Sequence, residues 1–318
     1  MTGMSKPSVF LFSGQGSHHY QMGEDLWSGN EAFRAQLEAC DATFKNLVGV
    51  SIVDLLYSKE RKKQDIFDRT LWTHPSIVTV EYALAKVLIE AGIAPNYVMG
   101  ASLGELTACA LSRVLSFEAM LKITVEQAKT LEAKCPRGGM LAVLNSVDLF
   151  EREAGFQKVT LVNVNFSKHF VVSGLAQSIL ELEKELKQKQ IACQSLAVSH
   201  AFHSKHIDDA AGACREFEAT QELSQPSIPI MSCSRAEVLE SIPGGYFWEA
   251  VRQPIGFQKS IDALERLGPC KYIDLGPSGT LATFLKYYLP ESSTSEIISI
   301  MNPFGRDLKR LETLLENK

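Results

Sequence analysis

Apolar runs bounded by glycine alternate with stretches of helical periodicity along most of the chain. The run Ser8-Val9-Phe10-Leu11-Phe12 stops at Ser13-Gly14-Gln15-Gly16-Ser17, which predicts a buried strand of a parallel sheet. From Trp72 to Ala91 the residues Ile77, Val80, Ala83, Leu84, Val87 and Leu88 recur at helical spacing. Pro95 then breaks the chain and Tyr97-Val98-Met99 predicts a short strand. Gly100-Ala101-Ser102-Leu103-Gly104 follows and leads into an Ala- and Leu-rich helix. Strand, sharp turn and helix in that order form an α/β unit.

The middle of the chain changes character. Strands are predicted at Gly139–Leu144, Val159–Val164 and Phe170–Gly174, an amphipathic charged helix over Gln177–Lys189, and a last strand over Ile191–Val198. With a weak helix around Asp148–Ala154, the order β-α-β-β-α-β predicts a ferredoxin-like insertion. Residues 1–129 and 198–318 are then one catalytic domain, α/β-hydrolase-like in layout, and residues 130–197 the inserted one. Past His203 the first pattern resumes. A strand is predicted at Ile228–Met231, a helix over Phe257–Leu267, a strand at Tyr272–Leu275 and an amphipathic helix over Arg306–Lys318.

Composition narrows the class. The 318 residues are 45% hydrophobic and 22% charged, an ordinary globular balance that needs no metal or disulfide to hold a core. A net charge of −5 argues against nucleic acid as a partner. The seven cysteines are scattered singly without a CxxC pair, which excludes a zinc knuckle and fits a reducing, cytoplasmic compartment. Met1–Pro7 has no apolar leader core, and no uncharged apolar run reaches about 18 residues, so neither a signal peptide nor a membrane span is expected.

Three segments carry candidate chemistry. Gly100-x-Ser102-x-Gly104, between strand and helix, places a serine on a tight turn above a helix N-terminus, where amide donors favour an oxyanion. A serine nucleophile needs a base. Of seven histidines, His200, His203 and His206 cluster just after the insertion, and spacing alone does not choose among them. The Gly14-Gln15-Gly16 turn lacks the lysine of a P-loop and the third glycine of a dinucleotide fingerprint. It reads either as a plain tight turn or as a backbone N–H donor completed by the amide of Leu103.

Taken together and in order, these segments resemble the malonyl-CoA:acyl-carrier-protein transacylase family, which includes the acyltransferase domains of fatty-acid and polyketide synthases. The likeness runs from Phe10 to about Leu289 and rests on six motifs. They are Phe12-Ser13-Gly14-Gln15-Gly16-Ser17, Gly100–Glu105, Asn163-Val164-Asn165 with Val171-Val172-Ser173-Gly174, His200-Ala201-Phe202-His203-Ser204, Arg252–Phe257 and Leu275–Gly279. The resemblance implies Ser102 as nucleophile, His203 as base, the amides of Gln15 and Leu103 as oxyanion donors, and the Gln253 carbonyl as the group that orients the histidine. It also implies substrates that bring their own phosphopantetheine, as acyl carrier protein or coenzyme A thioesters, with no resident cofactor or metal.

Two departures from the family bear on selectivity. Ala101 stands where histidine is usual. Counting back from Pro136 and Gly139-Met140, Gln127 stands where carboxyacyl-specific members hold the arginine that pairs with malonyl. Lys122 and Lys129 cannot reproduce that fork, although a slip of the count would bring Lys129 to the position. A buried carboxylate without a partner is costly, so the exchange favours neutral acyl groups and resembles the acyl hydrolase branch of trans-acyltransferase polyketide systems. His200 and Phe202, in the form found in malonyl-selecting polyketide acyltransferases, point the other way. The expected function is hydrolysis of stalled acyl groups from acyl carrier protein; the alternatives are an acyl-CoA:carrier-protein acyltransferase and a non-catalytic docking protein.

Overall fold

The computed structural model describes residues 6–317; most of the Met1–Pro7 stretch, and Lys318, lie outside them. Its ten strands are β1 Ser8–Phe12, β2 Tyr97–Gly100, β3 Gly138–Val143, β4 Thr160–Phe166, β5 His169–Leu175, β6 Cys193–Ser195, β7 Ile230–Ser232, β8 Glu237–Leu239, β9 Lys271–Asp274 and β10 Glu296–Ser299.

Six of them form one sheet in the order β10-β9-β1-β2-β7-β8, parallel throughout except for β8 at the edge. Strand β1 lies inside this sheet, which is why Val9, Phe10, Leu11 and Phe12 are all buried. Alternate residues serve opposite layers. Phe10 and Phe12 join a core with the helices Glu31–Val48 and Thr70–Glu90, whereas Val9 and Leu11 pack with the helices Phe257–Glu265 and Thr280–Tyr288. Helices on both faces of a mostly parallel sheet make this the α/β layout expected.

The remaining strands form an antiparallel sheet in the order β4-β5-β3-β6. Numbered within their own segment the strands run 2-3-1-4, the ferredoxin-like order. Leu141, Val143, Phe170 and Val172 face the helix Ala176–Gln188 through Ile179, Leu182 and Leu186. The opposite face presents Met140, Ala142, Val162 and Val171 toward the larger sheet's elements, and this face builds the site.

Several local expectations shift. The strand expected over Ile191–Val198 shortens to β6, because the Val198 N–H turns back to the Leu196 carbonyl at 2.8 Å. The helix from Phe257 ends at Glu265, closed by tight bonds from the Leu267 and Gly268 amides. The weak helix near Asp148 is one short turn, Asp148–Arg152, followed by a 3-10 segment over Ala154–Lys158. The helix Glu31–Val48 and the edge strands β8 and β10 had no counterpart among the predicted elements.

Candidate active site

Strand β2 delivers the chain into a turn where Ser102 takes φ +56°, a left-handed conformation that a serine adopts only when its surroundings enforce it. The flanking glycines make the turn possible by close approach. A Cβ on Gly100 would lie 2.1 Å from the Gly104 carbonyl carbon, and one on Gly104 would lie 2.2 Å from the Phe12 carbonyl oxygen. The helix Gly104–Leu111 starts directly beyond, so its positive dipole end lies beneath the serine, while its first amides, of Gly104, Glu105 and Leu106, are bonded back to the carbonyls of Ala101, Ser102 and Leu103.

Ser102 Oγ lies 2.7 Å from Nε2 of His203. On the other side of the ring, Nδ1 lies 2.6 Å from the Gln253 carbonyl oxygen. A carbonyl only accepts, so Nδ1 carries the proton and Nε2 is left to accept from the serine hydroxyl. His203 has φ +60° and its amide donates to the Val251 carbonyl at 3.0 Å. Backbone at both ends of the turn therefore aims the ring. Burial lowers its pKa to about 4; the Gln253 hydrogen bond opposes this and the Arg252 charge adds to it. The imidazole is thus neutral at pH 7, as a base must be. No carboxylate is needed, because the carbonyl orients the ring.

The Ser13–Ser17 turn abuts the serine turn: the Ala101 amide donates to the Phe12 carbonyl at 2.9 Å, and Gly14, Gln15, Ala101 and Ser102 line one cleft. Glu81, on the helix Thr70–Glu90, pins this turn from below. It accepts the Ser13 amide and the Ser13 hydroxyl, each at 2.7 Å, and the Thr107 hydroxyl at 3.3 Å. Burial pushes the Glu81 pKa well above the usual carboxylate range, against these donors. The amides of Gln15 and Leu103 have no hydrogen-bond partner among the described residues. Two free amides flanking a serine can stabilise an oxyanion.

The cleft has a volume of about 250 Å³ and lies between the turn that carries Ser102 and the open face of the small sheet. Met140, Ala142, Val162, Val171, Leu196 and Phe202 make an apolar wall. The same strands β4 and β5 add polar groups, where Asn163 donates to Asn165 at 2.6 Å and Asn165 lies 2.9 Å from Nδ1 of His169. No lysine or arginine lines this cleft among the described residues. Among the described residues, no group of three or more His, Cys, Asp or Glu side chains is placed to hold a metal ion.

Of the residues singled out for selectivity, Ala101 and Phe202 line the cleft but Gln127 and His200 do not. The expectation that Gln127 faces the acyl group is corrected here. Its carboxamide is buried and turned away, donating to the Phe247 carbonyl at 3.1 Å and to Glu218 at 3.4 Å. Those acceptors hold it on the helix-packing side. His200 stands behind Phe202, ring centroids 6.1 Å apart, and is tied to Thr70 at 3.1 Å. Sequence reasoning missed Glu81 and His169. A lone carboxylate inside the apolar run Val80-Glu81-Tyr82 was the available signal, since a buried charge needs a reason. His169 carried no such mark.

A left-handed serine turn, an imidazole at hydrogen-bond distance and two unpaired amides on this α/β scaffold belong to acyl-transfer chemistry. Residues 9–317 match the family described as acyl transferase domain, and the chain belongs to it. It is 43% identical over 312 residues to the polyketide biosynthesis acyltransferase homolog PksD of Bacillus subtilis (strain 168), covering 98% of this chain and 96% of that protein. The homolog BaeD of Bacillus velezensis is 40% identical over 312 residues with the same coverage. Among solved structures, the acyltransferase domain from the second module of the salinomycin polyketide synthase superposes with a TM-score of 0.83 at 26% identity, covering 98% of this chain and 73% of that one. A malonyl-transacylase solved with its type II polyketide synthase acyl-carrier protein shares the fold, with a TM-score of 0.82 at 21% identity and coverage of 98% and 100%.

Proposed function

We propose that the chain is a serine acyl-enzyme catalyst that removes neutral acyl groups from acyl carrier protein in polyketide biosynthesis. The observation that carries this is the Ser102–His203–Gln253 chain, at 2.7 and 2.6 Å, beside a cleft lined by no lysine or arginine. The polyketide setting and the carrier-protein partner are supported by the names of the relatives at 40–43% identity and by the carrier-protein complex of a protein with this fold. Seven free thiols fit a reducing cytoplasm.

In this scheme the Ser102 hydroxyl gives its proton to Nε2 of His203 while Oγ attacks the thioester carbonyl carbon. The amides of Gln15 and Leu103 hold the tetrahedral oxyanion. Collapse breaks the C–S bond, and His203 returns the proton to the departing phosphopantetheine thiolate. Water then attacks the acyl-serine with His203 again as base, releasing the acid and restoring Ser102. The substrate brings its own phosphopantetheine, and the scheme uses no metal or bound cofactor.

The charge of the cleft sets the acyl class. A malonyl carboxylate entering it finds no cation, and an unpaired buried carboxylate costs several kcal/mol. Malonyl extender units are therefore disfavoured, and neutral acyl groups on the carrier arm remain as substrates. Transfer to a second carrier thiol runs through the same acyl-serine, and the acyltransferase names of the relatives favour it as the second reading. Ser102→Ala removes one oxygen and is expected to abolish both acyl-serine formation and turnover with the fold intact by circular dichroism. An acyl adduct that persists in the variant, or maps to another serine, overturns the assignment.

A further inference from the structure

One histidine beside the cleft has no part in this chemistry. His74, in the helix Thr70–Glu90, is fully buried, and among the described residues neither of its ring nitrogens has a hydrogen-bond partner. Burial, with smaller contributions from His18 and His200, lowers its pKa to about 3, so the ring is neutral. A neutral imidazole carries one N–H donor and one acceptor nitrogen, and both are left unmade in the interior. The two neighbouring histidines are differently placed. His18 is bonded to the Phe67 carbonyl at 2.7 Å and His200 to Thr70 at 3.1 Å.

Two contacts join His74 to the cleft. Its ring lies 5.3 Å, centroid to centroid, from Phe202, which lines the cleft beside Ser102. Thr73, its neighbour in the chain, accepts a hydrogen bond at 2.8 Å from the side chain of Gln15, another lining residue. The remaining side-chain oxygen of Gln15 is itself buried without a partner among the described residues. Next to Ser102, Ala101 contributes only a methyl group to the cleft wall, and Phe202 is the lining residue in ring contact with His74.

We propose that His74 is a specificity-determining residue that recognises an oxygen substituent, a hydroxyl or keto group, on the acyl chain held by Ser102. The chain passes between Gln15 and Phe202, displacing the Phe202 ring, and its oxygen meets the imidazole. A hydroxyl can accept from the ring N–H of His74 while giving its single proton to the free oxygen of Gln15. A keto group uses the ring N–H alone. A carboxylate is a poor match, since the ring is neutral and the Gln15 oxygen repels it. This proposal rests on the acyl-thioester reading of Ser102 and adds a substrate class to it: acyl groups still oxygenated along the chain, as a carbon–carbon bond-forming or ketoreducing step leaves them.

The test compares butyryl, 3-hydroxybutyryl and 3-oxobutyryl thioesters of N-acetylcysteamine. For the unaltered protein, kcat/KM for 3-hydroxybutyryl is expected to exceed that for butyryl by about tenfold, the worth of one neutral hydrogen bond. His74→Phe, which fills the space but offers no donor or acceptor, is expected to bring the ratio to near one. His74→Gln, which keeps both functions, is expected to retain most of it. Because each variant is read as a ratio with butyryl turnover as denominator, a general loss of activity does not imitate the effect. A ratio near one in the unaltered protein, or a ratio that His74→Phe leaves in place, overturns the proposal. Failure of every thioester to turn over in the unaltered protein overturns the acyl-thioester reading itself, and the subsite with it.

Discussion

The protonation of His203 makes the acid side of the pH–rate profile a direct probe of the site. An imidazole with the ordinary value of 6.5 is only about 9% neutral at pH 5.5, whereas one at about 4 is about 97% neutral. With a neutral His203 as the proposed base, kcat/KM should stay flat from pH 8 to 5.5. It should then fall about tenfold per pH unit only below a pH of about 4. The assay is hydrolysis of a butyryl thioester at substrate well below KM, with the freed thiol quantified chromatographically from quenched samples.

Folding is followed in parallel, because other buried groups titrate in the same window. His18 at about 4 and His74 at about 3 are, like His203, depressed below their unfolded value. Each costs stability as pH falls from 6.5 toward its folded value, about 1 kcal/mol by pH 5.5. Glu105, raised to about 8, and Asp274, raised to about 6, act in the opposite sense. Their folded forms bind protons more tightly than the unfolded chain, so they stabilise as pH falls through those values. A loss of about fivefold in kcat/KM between pH 6.5 and 5.5 with the fold intact, the fall an imidazole of ordinary pKa gives, would refute a buried neutral His203 as the base.

Further outcomes follow from the same geometry. His203→Ala should lower kcat/KM by about 10²- to 10⁴-fold, while His200→Ala and His206→Ala should cost much less; a larger loss at His200 would put the base at the wrong histidine. Gln127→Arg should leave the preference for acetyl over malonyl thioesters in place, because Glu218 lies where the guanidinium would land; a reversed preference would show that residue 127 reaches the cleft after all. Gly104→Ala, whose new methyl group would meet the Phe12 carbonyl at 2.2 Å, should destabilise by about 1–3 kcal/mol or more in urea unfolding and lower turnover. An unchanged midpoint would contradict the close packing of the serine turn.

Much of the site is legible in the chain because it is built from local geometry. Gly100 and Gly104 mark a turn that no larger residue can make, and Ser102, His203 and the carbonyl of Gln253 meet where their motifs placed them. Strand β1 and the helix Thr70–Glu90 are equally plain, the one a short apolar run and the other carrying Ile77, Val80, Ala83, Leu84, Val87 and Leu88 at helical spacing. The helix Glu31–Val48 was there to be read as well, since its buried Phe33, Leu37, Cys40 and Phe44 follow helical spacing. Edge strand β10 was not, because its four residues are only half covered and carry no strong pattern. Gln127 shows the limit of counting positions. Counting gives the rank of a residue on its helix, but the acceptors on neighbouring helices decide where its side chain turns. His74 shows another limit, as its missing partners appear only when the whole interior is assembled.

On the proposed function, Ser102 takes up neutral acyl groups from carrier protein in preference to malonyl and gives them to water. Intact-mass spectrometry tests it in one experiment. Carrier proteins loaded with malonyl, acetyl and longer acyl groups are incubated with the protein, with and without an unloaded acceptor carrier. The neutral acyl carriers should return to the free-thiol form through an adduct that maps to Ser102, roughly 10- to 100-fold faster than malonyl carrier. They should do so without the acceptor present. Rapid malonyl labelling of Ser102 with acetyl ignored, and release only when the acceptor is added, would contradict the account and leave a malonyl transferase.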